Sequence, residues 1–459
     1  MLSSLDTLFA AGLHALQHQR AAHAAEQFRA ALALAPDHPA LHANLGLALE
    51  QQGQMDAAEA CYRQALAADA SHSELFLNLG GLLTRQRRLE EAEAVYQAAL
   101  AHGHATPALY SNLGVLYAIL KRDQPAEACY QQALALQPDY PTARFNLGYL
   151  YLRRGDYAQG WACLEARDWY QALAQVLPWP RWQGEALAGR AVLIGLEAGQ
   201  GDMIQFCRYA SQLKAAGARR VGVLCHPPLA RLFARLEGVD QVYPLGAELD
   251  QDWDCWTPPL SLPYHFHTRL DNIPAALPYL HADPALQAHW ASHLPARADG
   301  WRVGLVWKGN PRFENDAERS LPGLHTLAAL ADLPGIQWVS LQKGAGEDQA
   351  LAADAPFAVH ALGPQLKDFA DTAAVLAQLD LLISVDTASA HLAGALAVPC
   401  WVLLPDYQTD WRWLQQRSDS PWYPGCMRLF RQPQRGDWAS VVSALRTALA
   451  SWGPGTSPR

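Results

Sequence analysis

Three short segments combine a backbone that allows close approach of a ligand with side chains able to move a proton or hold an anion. The first is Glu197-Ala-Gly-Gln-Gly-Asp202. Gly199 and Gly201 permit a tight turn beside a ligand. Asp202 then opens a helix, with Gln205 three residues on, and serves either as an N-cap or as a general base. The second is Val306-Trp-Lys-Gly-Asn-Pro311. Here Lys308, next to Gly309 and Asn310, offers a point charge to a diphosphate, the alternative being a solvated surface lysine. The third runs from Leu382 to Gly394. An apolar run ends at Asp386, and a helix of small residues starts at once, presenting free N–H groups and a partial positive charge that suit a phosphate. Thr387 and His391 are four apart and share a face of its first turn. The alternative makes Asp386 or Thr387 a cap and His391 a packing residue.

Secondary candidates lie elsewhere. His265 and His267 fall in late loops of the first half of this region. Asp410-Trp-Arg-Trp413 and Ser420-Pro-Trp-Tyr-Pro424 carry aromatics and an arginine that either stack on a base or sugar or pin the C-terminal helix. No P-loop lysine motif, GxSxG elbow, HExxH or kinase set is present, and the glycine-rich turn lacks the full GxGxxG fingerprint.

These segments need strands that end where they begin. Beyond a break at 168–189, marked by Pro178, Trp179, Pro180, Trp182 and Gly184, short apolar runs alternate with helical stretches. Strands are expected at 191–196, 220–225, 302–307, 336–341, 357–359, 379–384 and 400–404. Helices are expected at 202–216, 229–236, 324–333, 371–379, 387–396 and 438–450, with a helix plus a polar, Pro-containing connector over 284–298. The βαβα order implies parallel sheets covered by helices, in two Rossmann-like halves at 186–298 and 299–459. Ligands of such sheets sit beyond the carboxyl ends of the strands.

Residues 1–170 follow a different grammar. Asn-Leu-Gly recurs at 44–46, 78–80, 112–114 and 146–148, a period of 34, and Gly12 holds the same register. Ala24, Ala58, Ala92 and Ala126 keep step, as do Phe28, Tyr62, Tyr96 and Tyr130. This resembles the tetratricopeptide repeat: two antiparallel helices per unit, small residues where they approach, and an aromatic filling the gap to the next unit. The fifth unit departs, with Gly160 for the alanine and Leu164 for the aromatic, before a Trp/Pro-rich junction at 171–185. Such an array binds an extended peptide or protein. The alternatives are a homodimerisation arm and a plain spacer.

Composition sets the outer limits. The chain has 459 residues, half of them hydrophobic, and a formal net charge of −9, which argues against a broad grip on nucleic acid or anionic lipid. Eight cysteines form no CxxC pair and no zinc-spaced cluster, so reduced thiols in a cytoplasmic protein are expected. No apolar run approaches a membrane span, and no basic n-region precedes an apolar stretch at the start, so a signal peptide is not expected.

Residues 186–455 resemble the GT-B glycosyltransferases, specifically the heptosyltransferase-like family (glycosyltransferase family 9). The resemblance rests on Gly201-Asp202, on Asp386-Thr387…His391-Leu392-Ala393, on Ser340-Leu341-Gln342 and on the strand order. With the repeats, the architecture is similar to the O-GlcNAc transferases. The resemblance implies a metal-independent inverting enzyme without a cofactor, its donor a nucleotide sugar held by the C-terminal half. It assigns Asp202 as base and Lys308 to the departing phosphate. It gives Asp386, Thr387 and His391 to the donor; beside them Gly309, Asn310 and Gln342 are donor-side candidates, and Gly199, Gly201, Gln205 and His265 acceptor-side candidates by their place in the loops. The repeat arm shifts the expected acceptor from a glycolipid core to a protein, such as a surface or flagellar subunit. The competing expectations are a non-catalytic adaptor with a degenerate sugar-nucleotide domain and a lipopolysaccharide core transferase.

Overall fold

The computed structural model describes residues 4–297 and 300–452. The expected boundary at 298/299 and both chain ends lie outside the described residues. The chain divides into two compact units, 1–150 and 151–459. The expected junction at 171–185 therefore falls inside the second unit.

The first unit is a helical solenoid. Its helices pair as Ser4–Gln17 with Ala21–Leu32, Pro39–Gln51 with Met55–Ala68, Ser73–Arg85 with Leu89–Ala101, and Pro107–Ile119 with Asp123–Leu136. A further helix, Pro141–Arg154, crosses the boundary. The alanines at 24, 58, 92 and 126 are fully buried. The aromatics differ from expectation, because each lies on the glycine of its own unit. A Cβ at Gly12 would sit 2.5 Å from the Phe28 ring, and one at Gly46 2.5 Å from the Tyr62 ring. Gly80 under Tyr96 and Gly114 under Tyr130 are closer still. The glycine is thus set by the width of a ring edge inside one helix pair. Between pairs, charge adds to the stacking: Arg122 of one unit reaches Glu93 of the unit before at 3.0 Å.

The second unit holds two parallel sheets. The first has β1 (Ala191–Ile194), β2 (Arg220–Cys225), β3 (Gln241–Pro244) and β4 (Cys255–Thr257), in the order β3-β2-β1-β4. The second has β5 (Trp301–Val306), β6 (Ile336–Ser340), β7 (Val359–Ala361), β8 (Leu381–Val385), β9 (Cys400–Leu404) and β10 (Met427–Arg431), in the order β10-β9-β8-β5-β6-β7. Every pairing in both is parallel. Parallel strands buried on both faces read as unbroken apolar runs, and β1, β8 and β9 are buried throughout.

Several expected elements shift. The helix expected at 202–216 is two helices, Gln200–Phe206 and Tyr209–Ala215, interrupted where the Arg208 Nε takes the Gln205 carbonyl at 2.8 Å. The helices expected at 229–236 and 324–333 are largely single turns and 3₁₀ stretches, and the strand expected at 357–359 lies at Val359–Ala361. The Trp/Pro-rich segment extends the first sheet: Trp182 N–H donates to the Trp256 carbonyl at 2.8 Å, and Trp256 N–H to that of Pro180 at 3.1 Å. Gly160 sits where a side chain would overlap Leu152, which explains the loss of alanine there.

Two adjacent glycines test the packing rule in the array. Gly80→Val should destabilise the protein by about 1–3 kcal/mol through overpacking against Tyr96. Gly81, whose added Cβ would find its nearest atom at 3.5 Å, should tolerate alanine and gain up to about 1 kcal/mol of helix propensity. Urea unfolding of both variants measures this, and equal effects would refute it.

Candidate functional site

In each sheet the chain runs to one side and then returns to the other. The reversal lies between β1 and β4 in the first sheet and between β5 and β8 in the second. Ligands of open parallel sheets bind in the crevice beyond the strand ends at such a reversal. Asp202 follows β1, Lys308 follows β5, and Asp386 follows β8 directly. Val306 and Ser384 are register partners, so the Lys308 and Asp386 loops leave from neighbouring positions.

The helices after β1 and β8 pack against one another. A Cβ at Gly201 would be 3.0 Å from His391 Cδ2 and 3.4 Å from Ala388 Cα. Gly201 is therefore a close-approach glycine. The turn expected of it and Gly199 is made by Ala198 instead, with φ +58°, while Gly199 is extended. Gly199 N–H donates to Asp202 Oδ2 at 2.8 Å. The other oxygen of Asp202 is bonded to the Arg412 guanidinium. Arg412 also donates from Nε to the fully buried Gln205 at 2.5 Å and from Nη1 to both oxygens of Asp410 at 3.0 Å. The carboxylate expected as the base is thus held at both oxygens.

Asp386 stands apart in its electrostatics. Burial, reinforced by the nearby Asp410 carboxylate, pushes its carboxyl up to about 6. His391 Nε2 lies 4.0 Å from Asp386 Oδ1. The His391 ring is buried, stacks on Trp413 at 5.2 Å between centroids, and shares a 2.8 Å hydrogen bond at Nδ1 with the Tyr423 hydroxyl. Burial, with Arg412, Arg208 and Arg319 around it, drives its pKa well below the ordinary value, so the imidazole is neutral. The Thr387 hydroxyl does not cap the helix that follows. It pairs with Ser384 Oγ at 3.0 Å.

The Lys308 loop has its own scaffold. Gln342 is 1% exposed, and its Oε1 accepts from the N–H groups of Trp307 and Lys308 at 2.9 and 3.0 Å. Its Nε2 donates to the carbonyls of Lys308 and Ala345. All four of its hydrogen-bonding positions serve backbone, so it shapes the loop. A Cβ at Gly309 would collide with Asp316 and Arg319, and its N–H donates to Ser320 Oγ at 2.8 Å. Asn310 is exposed and accepts from Arg312 N–H at 3.1 Å. Among the described residues Lys308 has no carboxylate within ion-pair reach. His265 lies elsewhere, against Trp182 with centroids 4.7 Å apart and its Nδ1 close to Gly184. His267 is exposed, in the left-handed region at φ +49°.

Sequence reasoning missed Arg319, and it singled out the segments of Asp410, Arg412 and Tyr423 for stacking on a base or sugar and not for the pairing with Asp202, Gln205 and His391 that the structure shows. Arg319 had a local signal, an i,i+3 pair with Asp316 at 3.1 Å. Arg412 had none pointing to a partner 210 residues away. The aromatics around it do not pin the C-terminal helix. Trp422 Nε1 donates to the Tyr157 hydroxyl at 2.9 Å, and Trp161, Phe206 and Trp411 complete that cluster. Among the described residues no group of three or more His, Cys, Asp or Glu is placed to hold a metal, and no helix is long and apolar enough to cross a membrane.

Tetratricopeptide-repeat family models match residues 9–71, 71–139 and 125–155. The N-terminal region is an array of tetratricopeptide repeats. The chain is similar to Protein FlbA of Caulobacter vibrioides, with 28% identity over 327 residues, 65% of this chain and 53% of that protein. It thus spans about half the length of that relative. Among solved structures it is similar to PilF of Pseudomonas aeruginosa (24% identity, 35% of this chain and 75% of that one, TM-score 0.33). It is also similar to TTC0263, a thermophilic tetratricopeptide protein of Thermus thermophilus (26%, 38% and 92%, TM-score 0.32).

Two substitutions test the electrostatics. The folded Asp386 carboxyl holds its proton to about pH 6, whereas an unfolded one releases it near about 3.9. The stability this contributes is complete below about pH 4 and lost as pH rises through 6. Asp386→Asn should therefore gain stability relative to wild type as pH goes from 4.5 to 7.5, read from denaturation midpoints, and a pH-independent difference would refute this. Arg412→Met should destabilise by about 2–4 kcal/mol, because it takes the shared donor from buried Gln205 and from the partly exposed carboxylates of Asp202 and Asp410. Arg412→Lys should recover only part of that loss, as lysine lacks the planar fork.

Proposed function

We propose that the chain is a glycosyltransferase whose sheet region moves a sugar from a nucleotide-sugar donor to a hydroxyl acceptor, without a metal, and whose repeats bind the protein that carries the acceptor. One observation carries the reading: the reversal points of two parallel sheets are joined through the Gly201–His391 contact, gathering Asp202, Asp386, Thr387 and His391. The second sheet, numbered from its own first strand, has the order 3-2-1-4-5-6 of dinucleotide-binding folds. This supports two Rossmann-like halves in a GT-B arrangement, with the donor on the second.

The chemistry assigned to each group follows from its surroundings. The uncapped helix N-terminus at Ala388 offers N–H groups to a diphosphate, and Lys308 supplies a cation as charge builds on the leaving phosphate. Neutral His391, held by Tyr423, donates or accepts one hydrogen bond without adding charge. Asp202 takes the acceptor proton once Arg412 yields the oxygen it holds. Tetratricopeptide arrays present surfaces for peptide or protein partners, and this supports a protein acceptor.

That occupied carboxylate favours a second reading, an adaptor that binds a sugar nucleotide without transfer. Incubation with UDP-, GDP-, ADP- and CMP-sugars separates the two. Transfer or hydrolysis is expected, with a loss of at least about a hundredfold in Asp202→Asn and Lys308→Met. Activity unchanged in Asp202→Asn would sink the catalytic assignment, and failure of every nucleotide sugar to bind at millimolar concentration would sink the enzyme reading.

A further inference from the structure

The turn that leads into Asp202 is fixed at three consecutive residues, by the side chain of Glu197, the carbonyl of Ala198 and the N–H of Gly199. The Glu197 carboxylate is fully buried. It meets the equally buried Arg167 at 2.6 Å from Nε and 3.1 Å from Nη2, and it accepts from Leu260 N–H at 3.3 Å. Arg167 also donates to Glu165 and to Ser261 Oγ, both at 2.8 Å, and to the Leu164 carbonyl at 3.2 Å. Its five N–H groups thus meet five acceptors. Arg181 is paired with Glu165, so two arginines and two carboxylates balance in charge. Ala198 lies in the left-handed region at φ +58°, which a residue with a Cβ adopts at a steric cost. Its carbonyl oxygen is 3.0 Å from His226 Nε2, so that nitrogen carries the proton. His226 directly follows β2 and is half-buried. Gly199 N–H donates to Asp202 itself.

We propose that Arg167 and His226 are positioning residues for Asp202, an assignment that rests on the glycosyltransferase reading in which Asp202 is the base. A buried ion pair is a poor source of net stability, since well-packed apolar side chains often do as well. What it supplies is direction, because a two-pronged arginine–carboxylate pair sets both distance and plane. Here it ties the loop after β1 to the segment that follows helix Tyr157–Leu164 and to the loop after β4. The arginine therefore comes from the end of the repeat pattern and not from either sheet. A strained backbone persists only where its surroundings over-determine it, and His226 supplies that hold on Ala198. Three residues further on there is no slack. A Cβ at Gly201 would already sit 3.0 Å from His391 and 3.4 Å from Ala388 Cα. A turn released at 197–198 consequently shifts the Asp202 carboxylate against the helix N-terminus at Ala388.

The test uses the full chain and the nucleotide sugar, among UDP-, GDP-, ADP- and CMP-sugars, that wild type turns over. His226→Leu removes the hydrogen-bond donor, and His226→Gln restores an N–H at similar reach. In His226→Leu, kcat should fall by about tenfold to a hundredfold, with the donor KM within about twofold and the urea midpoint near that of wild type. His226→Gln should return kcat to within about threefold of wild type. Arg167→Met combined with Glu197→Leu exchanges the pair for apolar side chains. It should fold and lose kcat by a similar factor at unchanged KM. An unchanged kcat in His226→Leu overturns the proposal. So does a loss that His226→Gln fails to recover, or one matched by an equal rise in KM. If the double variant does not fold, the two histidine variants decide. If wild type turns over none of these sugars, the glycosyltransferase reading falls first and takes this assignment with it.

Discussion

A buried guanidinium has to be answered by acceptors where it lies, because removing it from water costs several kcal/mol that only close partners return. Arg412 meets that demand with Asp202 and Gln205 from the helix after β1 and with Asp410 from its own loop. Those partners come from both sheet-bearing segments of the second unit. The arginine therefore fixes the register in which the strand ends of one sheet face those of the other. Arg208 repeats the logic three residues beyond Gln205. It donates to the Trp422 carbonyl at 2.8 Å and lies over the Tyr279 and Tyr423 rings. Asp202 and Gln205 lie three apart on one helical face, Arg208 follows at the break after that helix, and together the three make the seam.

The seam creates the electrostatic character of the site. It buries His391 and leaves Asp386 only partly in contact with water, and water is what ordinarily stabilises a carboxylate and an imidazolium. Both groups consequently favour their uncharged forms, Asp386 up to about pH 6 and His391 across the neutral range. Lys308 lies outside the seam and is half-exposed. The site thus brings together one half-exposed lysine, a helix N-terminus and two groups whose charged forms burial disfavours.

The repeats obey a local constraint. A glycine and an aromatic sixteen residues apart define the closeness of each helix pair, and inter-unit pairs such as Arg122 with Glu93 join one to the next. Nothing in that rule needs information from beyond one neighbouring unit, and stability is then a sum of near-neighbour terms.

This difference decides what could be read from the sequence. The array was legible because its contacts recur within 34 residues, so the pattern states them. Strands 220–225 and 400–404 were legible as apolar runs bounded by turns. The strands at 241–244, 255–257 and 427–431 were not, being short and carrying proline, tryptophan or arginine where a buried strand is expected to be aliphatic. Asp202, Lys308 and Asp386 were singled out because strand ends announce themselves locally. Their states were decided only in three dimensions. Gly201 proved to be a contact with His391, Gln342 a brace for a loop, and Asp202 a partner of Arg412. The sequence by itself determined that Asp202, Lys308 and Asp386 follow the ends of apolar strands, since that depends on neighbours in the chain. The tertiary structure alone decided which charges are paired and which are withdrawn from water, since pairing and dehydration at the seam depend on groups brought together from as far as 210 residues apart.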